Sequence, residues 1–273
     1  MTDLFAPSAP APTDIPIVNG RYMVPMPGAA TPKSYMRVTN FIGVMENTYT
    51  LTEWQLRQVA IGLAKRPDLV LRVHAAPDPA TPLGKQAIQQ IATEAKTAAG
   101  ADIKRDSGTA WHLIVERYHA EGHTPEGIDA AIMKAYVDAV RPLRFLALEQ
   151  YVCIDELKVA GRFDALVEHV AFPGVPLIAD LKSGSMTYAA NKTGMQLGCY
   201  AWGKLVLPDG ARLEHGASKQ RGIVIDFNAE AKTVELRWVD IGAAARGLGL
   251  ARQVHDWRKI KDFWVDLPTA SDL

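Results

Sequence analysis

Apolar positions along this chain change their period part-way. From 47 to 140 they recur at helical spacing. In "NTYTLTEWQLRQVAIGLAKRPDL" (47–69) Leu51, Trp54, Leu56, Val59, Ala60 and Leu63 form a stripe that Thr52 and Glu53 can open and Pro67 ends. Three more helices are expected over 81–100, closed by Gly100, over 106–122, with Asp106 or Ser107 as N-cap and Gly122 as the stop, and over 124–140. From 145 the texture turns to alternation rich in Val. "FLALEQYVCIDELKVAGRFDALVEHV" (145–170) reads as two or three antiparallel strands and "VPLIADLKSG" as the next. A helix over 189–207, a hairpin over 221–241 around "NAEAK" and a last helix over about 242–264 complete the pattern. Helices followed by a small sheet with one crossing helix indicate an α/β or α+β domain.

Residues 1–36 are rich in Pro, Ala and Gly without a period and read as an extended or partly disordered arm. Composition changes this picture little. The chain has 273 residues, 48% apolar and 22% charged, an ordinary globular balance with enough sequence for a sizeable core. Lys+Arg and Asp+Glu are equal at 30, so net charge names no partner, and only local charge can. Two cysteines, Cys153 and Cys199, form neither a disulfide framework nor a CxxC zinc site, and they read as buried apolar fillers in a reducing cytoplasm. The start lacks the basic and apolar regions of a secretory signal, and no apolar run is long enough to span a membrane.

The chemistry gathers at one strand end. In "IADLKSG" alternation puts Asp180 and Lys182 on one face and Leu181 on the other. An ordinary salt bridge would look the same. Asp164, in "GRFDAL" 16 residues earlier, ends another apparent strand, with Gly161 placed for a turn or bulge. Adjacent strands bring Asp164 and Asp180 to one edge. Two close carboxylates repel unless a proton or a cation lies between them. Oxygen ligands suit Mg²⁺ or Mn²⁺, and a neighbouring lysine can position a water or offset transition-state charge. Two acids and a lysine suit phosphodiester hydrolysis.

Taken in order, "GTAWHLIVE", "GRFDAL", "IADLKSG" and "QLGCYAW" resemble the motifs of the PD-(D/E)XK nuclease superfamily, in its RecB-like exonuclease branch. The resemblance implies an α/β fold with a restriction-endonuclease-like core. A small mixed central sheet would be flanked by helices, under an N-terminal helical cover. It implies one nuclease domain over 37–265, helical to about 140 and sheet-based from about 145, with a tail at 266–273. It also implies that His112, Asp164, Asp180 and the Leu181 carbonyl hold one or two Mg²⁺ or Mn²⁺ ions, with Lys182 as the catalytic lysine. Glu149 is a candidate further acid, with a surface place as good a reading, and Glu116, one turn after His112, is a candidate further acid or a structural partner of that histidine. Gln196 and Tyr200, one helical turn apart, could contact DNA phosphate or hold Lys182, and an amphipathic helix with Tyr200 in the core is the plain alternative.

Around these, Lys104 and Arg105 precede the His112 helix, whose N-terminus could accept a phosphate, and Arg162, Lys192 and Lys204 could extend a basic track. Trp111 reads as packing rather than base stacking. His112, Glu116, His119 and His123 recur at spacings of 4, 3 and 4, but Gly122 and Pro125 interrupt the helix before His123, and H-E-x-x-H is absent, which disfavours zinc. Two cysteines cannot ligate the iron–sulfur cluster of some relatives, and no P-loop supplies a motor. The expected activity is a stand-alone exodeoxyribonuclease of recombination, repair or phage DNA metabolism. It would act on DNA in the cytoplasm (the host's, if phage-encoded), beside a single-strand annealing or recombination protein. The alternatives are a structure-selective endonuclease on the same core and a non-catalytic DNA-binding module.

Overall fold

The computed structural model describes residues 14–101, 103–122, 124, 128–183, 189–228 and 231–261, and within 103–109 the backbone alone. The chain divides into two compact units, Met1–Glu46 with Glu126–Leu273 and Asn47–Pro125, where one domain over 37–265 was expected.

The first unit is mixed α/β, with helices flanking a mixed sheet of ten strands among the described residues. Its strands are β1 (Ile17–Val18), β2 (Arg21–Val24), β3 (Lys33–Arg37), β4 (Leu143–Ile154), β5 (Val159–His169), β6 (Pro176–Lys182), β7 (Lys204–Val206), β8 (Arg212–Leu213), β9 (Arg221–Asn228) and β10 (Thr233–Asp240). One path runs β1-β2-β3-β5-β4-β7-β8, and a second leaves β5 through β6 and β9 to β10. The pairs β3–β5 and β6–β9 are parallel, and the others are antiparallel. Helices α1 (Val38–Ile42), α6 (Ala130–Val140), α7 (Ala190–Trp202) and α8 (Ile241–Trp257) belong to this unit. Leu197 and Tyr200 of α7, Ile241 and Leu248 of α8 and Phe41 of α1 share a core with Phe163, Ile178 and Val224 of the sheet.

The arm expected to be extended or disordered is built into this sheet from Ile17 onward, and residues 1–13 lie outside the described residues. Alternation survives between the prolines: Tyr22 and Val24 are buried while Arg21 and Met23 are half-buried. With Ile15 and Tyr35 they pack on Cys153, Ala160 and Val206. A polar clasp fixes the arm. Arg212 donates to both carboxylate oxygens of Asp155, at 3.0 and 3.1 Å, and the Tyr35 hydroxyl donates to the same carboxylate. Burial, helped by the Asp155 charge, pushes the Tyr35 phenol up to about 12, so it stays a donor.

The second unit holds α2 (Tyr49–Lys65), α3 (Pro67–Ala75), α4 (Pro82–Ala99) and α5 (Ile103–Glu121). Asn47 accepts the Tyr49 N–H and opens α2 earlier than Thr52 would. Pro67 ends α2 and starts α3, whose first turn needs no proline N–H. Thr81 caps α4, and Gly100, left-handed at φ 89°, closes it. Helix α5 starts at Ile103, ahead of the expected caps, and ends at Gly122. Val59 and Leu63 of the α2 stripe pack with Leu69, Ile91 and Ala95. Leu51, Trp54 and Leu56, of the same stripe, are exposed. No helix among the described residues is long and apolar enough to cross a membrane.

His119, on α5, is buried, and desolvation pushes its imidazole down to about 4. An unfolded chain takes up that proton near 6.5. Stability is therefore lost as pH falls from about 6.5 towards about 4, by up to about 3 kcal/mol. Urea midpoints across this range should drop for the native protein and flatten for His119→Leu. An unchanged slope in the variant would assign the acid sensitivity to other groups.

Candidate active site

Strand β6 lies between β5 and β9, and its residues 177–181 are all buried. Such a strand reads as a continuous apolar run, yet it carries Asp180 at 1% exposure. Ile178, Asp180 and Lys182 share the face under α7, as alternation requires. The Lys182 ammonium touches Asp180 Oδ2. That contact is ionic without hydrogen-bond alignment, and Oδ2 accepts no hydrogen bond. The Gln196 amide links the pair: Nε2 donates to Asp180 Oδ1 at 3.4 Å, and Lys182 Nζ donates to Gln196 Oε1 at 3.4 Å.

Gln196 Nε2 also donates to the Tyr200 hydroxyl at 2.9 Å. Tyr200 lies in the core, as the plain alternative has it, while Gln196 is in contact with the lysine. Tyr200 is buried, and desolvation followed by the nearby Asp180 charge raises its phenol well above the usual range. Its ring lies against Gly161, where an added Cβ would come within 2.7 Å of Tyr200 Cε1 and 2.9 Å of Val38 Cγ2. Gly161 pairs regularly with Val152, so it serves close approach and not the turn or bulge expected of it.

The irregularity lies in β4 instead. Register slips by one residue between Phe145 and Ala147. Further on, Leu148 pairs with Ala165 and Gln150 with Phe163, which puts Glu149 opposite Asp164. Ala165 pairs with Ala179, so Asp164 stands opposite Asp180. Ala147, Leu166 and Ile178, each two residues from these acids, share the core under α7. Glu149, Asp164 and Asp180 thus form one cross-strand row on that face. Glu149 has φ 51°, a left-handed conformation that a glutamate in a strand rarely adopts. Val152 and Phe163, beyond the row, belong to the same core.

Asp164 accepts the Leu181 N–H at 2.7 Å. Its carboxyl is raised well above the usual range, by burial first and then by the charges of Asp180 and Glu149, against Lys182 and the Leu181 N–H. The row therefore favours a shared proton or a cation. Glu149 also meets Arg162 at 2.7 Å. Three expected members of a basic track are paired in this way: Arg162 with Glu149, Lys192 with Glu46 at 2.7 Å and Lys204 with Glu214 at 3.2 Å. They form no free cationic path.

His112 and Glu116 lie one turn apart on α5, both partly buried, as is Trp111. The side chains of Lys104 and Arg105, together with His123 and Pro125, lie outside the described residues. Cys153 and Cys199 are buried, and desolvation pushes both thiols up to about 12. Asp226 was missed by sequence reasoning. It is registered with Lys182 across β6–β9 and bonded by Arg237 Nε at 2.6 Å. Its signal was an acid inside the apolar run "GIVIDF".

No protein-family model and no curated protein matches the chain. A solved structure titled "Crystal structure of SSO0001" is similar over 83% of this chain and 79% of that one, at 11% identity and a TM-score of 0.31, too weak a likeness to bear on fold family or activity.

The left-handed backbone at Glu149 has a measurable cost. Glu149→Gly should be more stable than Glu149→Ala by about 1 kcal/mol in urea denaturation, because both lose the Arg162 pair and only alanine keeps the Cβ strain. Equal stability, or a more stable alanine variant, would mean that position 149 is not held at positive φ.

Proposed function

We propose that this protein is a metal-dependent deoxyribonuclease with a PD-(D/E)XK core, acting as an exonuclease. The observation that carries the reading is the row Glu149, Asp164, Asp180, with Lys182 against the buried Asp180 Oδ2 that accepts no hydrogen bond. A carboxylate buried to this degree is costly, and neighbours of like charge raise the cost. A structural strand would gain by replacing it with an apolar residue. A cleavage site needs the acids together.

The donor set fits a hard divalent cation. Its oxygens come from three acids, one of them with an oxygen that accepts no hydrogen bond. Asp164 and Asp180 are the residues that would hold Mg²⁺ or Mn²⁺, with Glu149 beside them and the Leu181 carbonyl added by the motif resemblance. Such an ion polarises a phosphodiester and lowers the pKa of bound water. His112 and Glu116, on the helical unit, enter this reading through their motif.

The chain's own groups have separable tasks. Lys182 carries positive charge to the site and stabilises the negative charge that builds on the phosphoryl oxygens as water oxygen bonds to phosphorus and the ester oxygen leaves. Gln196 is a positioning residue: it holds the lysine through Oε1 while its Nε2 is anchored on Asp180 and Tyr200. Asp164, tied to the Leu181 N–H, keeps β5 and β6 aligned so that both acids face one point.

Cleavage of end-labelled DNA should require Mg²⁺ or Mn²⁺, stop in EDTA and be lost in Asp180→Ala with folding intact. In the same assay Lys182→Ala should slow cleavage by about 100-fold or more, against a far smaller loss of DNA affinity, since one phosphate contact is a small part of a salt-dependent interface. Cleavage in excess EDTA would sink the metal mechanism, and parallel losses of binding and rate would make Lys182 a docking residue.

The exonuclease part of the reading rests on the motif resemblance. Linear DNA should release short products from its ends while closed circular duplex stays intact. Nicked or linearised circles, formed before any short products, would instead assign a structure-selective endonuclease.

A further inference from the structure

A groove of about 870 Å³ opens on the sheet unit beside the carboxylate row, between the start of α7, the β9–β10 hairpin and α8. We infer that this groove binds the phosphodiester backbone of one DNA strand next to the bond being cut, with Arg246 as its phosphate contact. The inference rests on the nuclease reading above.

Register places the groove. Asp180 is paired with Val224, and Val224 with Arg237. Arg237 therefore continues the row Glu149–Asp164–Asp180 two strands further on, about 10 Å away at the usual strand spacing. Asp226, which lines the groove, is the registered neighbour of Lys182. A strand leaving the acids along this face passes directly into the groove.

One unmatched cation points to an anionic ligand. Two acids line the groove, and each is matched. Asp226 takes Arg237 Nε at 2.6 Å, and Asp240 lies 3.4 Å from Arg221 while capping α8 through the Ala243 N–H. Arg237 is held a second time by Glu235, at 3.0 Å. Arg246 is the lining cation that meets neither acid. It is exposed, and although its charge is felt at Asp240 it makes no ion pair or hydrogen bond among the described residues. Arg162, Lys192 and Lys204, by contrast, each have an acid within 3.2 Å.

Size narrows the ligand to one strand. The volume falls in the range of pockets that take small organic ligands, about 300–1,000 Å³. Gly194 on α7 and Ala244 on α8 keep the walls low where the two helices meet. A segment of single strand fits such a space.

The test reads affinity apart from cleavage. In a Lys182→Ala background with Mg²⁺, anisotropy of a fluorescein-labelled single-stranded oligonucleotide of about 12 nucleotides gives the dependence of affinity on salt. Arg246→Ala should reduce the slope of log affinity against log salt by about 0.7, the value of one phosphate contact on a single strand. Arg246→Glu should weaken binding further. Arg252→Ala, on the same helix but outside the groove, should keep the full slope. Unchanged thermal midpoints show that the folds are intact. A full slope in Arg246→Ala, or an equal loss in Arg252→Ala, overturns the groove site and leaves the nuclease reading standing. A native protein that neither binds the oligonucleotide nor cuts DNA with Mg²⁺ or Mn²⁺ removes both.

Discussion

The sheet unit is organised around a carboxylate that has almost no water. Asp180 sits at the end of a strand buried on both faces, and among the described residues Lys182 and Gln196 meet its carboxylate. Each is placed by a different constraint. Lys182 reaches it because residues two apart in a strand share a face. Gln196 reaches it because α7 is seated low on the sheet, and α7 can sit low because the residues under and beside it are glycines. A Cβ at Gly161 would strike Tyr200, and one at Gly222 would come within 2.7 Å of Leu197 Cδ2. Gly194 and Gly198 let Ala244 and Leu248 of α8 come close on the far side. The acid, the helix and the glycines stand or fall together.

The same arrangement explains why strain is found where it is. A regular ladder through β4 and β5 would keep one set of residues under α7 along its whole length. Here the ladder slips by one residue between Phe145 and Ala147, just before the acids. Glu149 then takes a left-handed backbone within the regular part of the ladder. Strain at a residue with a candidate role in chemistry, held by well-packed neighbours, is the pattern expected of a site shaped for function.

Much of this was legible in the sequence. Alternation alone put Asp180 and Lys182 on one face, and helical spacing put Gln196 and Tyr200 together. The row behind them was harder. Asp164 could be placed on a neighbouring strand, but nothing in "LALEQ" announces a glutamate at positive φ, because residue type forecasts that conformation only for Gly, Asn and Asp. Gly161 suggests a turn or bulge from sequence, although a glycine can equally mark a close approach. Pro and Gly hid the N-terminal strands, whose alternation spans only four or five residues. Asp226 was hidden by context: an acid in a hairpin means little until its neighbour strand is known. The α2 stripe shows the reverse error, a good helical period that is buried over only part of its length.

The path of the chain also fixes an order of assembly. Strand β3 is made early, yet its partner β5 comes about 120 residues later, with Met36 paired to Val159. The whole helical unit is synthesised in between. At ribosomal speeds of about 5–20 residues per second, the first strands wait about 6–25 s for a sheet to join. During that time Tyr22, Val24 and Tyr35 have no core, and a nascent strand with apolar residues is prone to pair with the wrong partner. The charges of Arg21, Lys33 and Arg37, and the prolines at 25, 27 and 32 between the strands, are what discourage such pairing. The Pro-rich character that made this segment look unstructured is then its protection until the sheet exists.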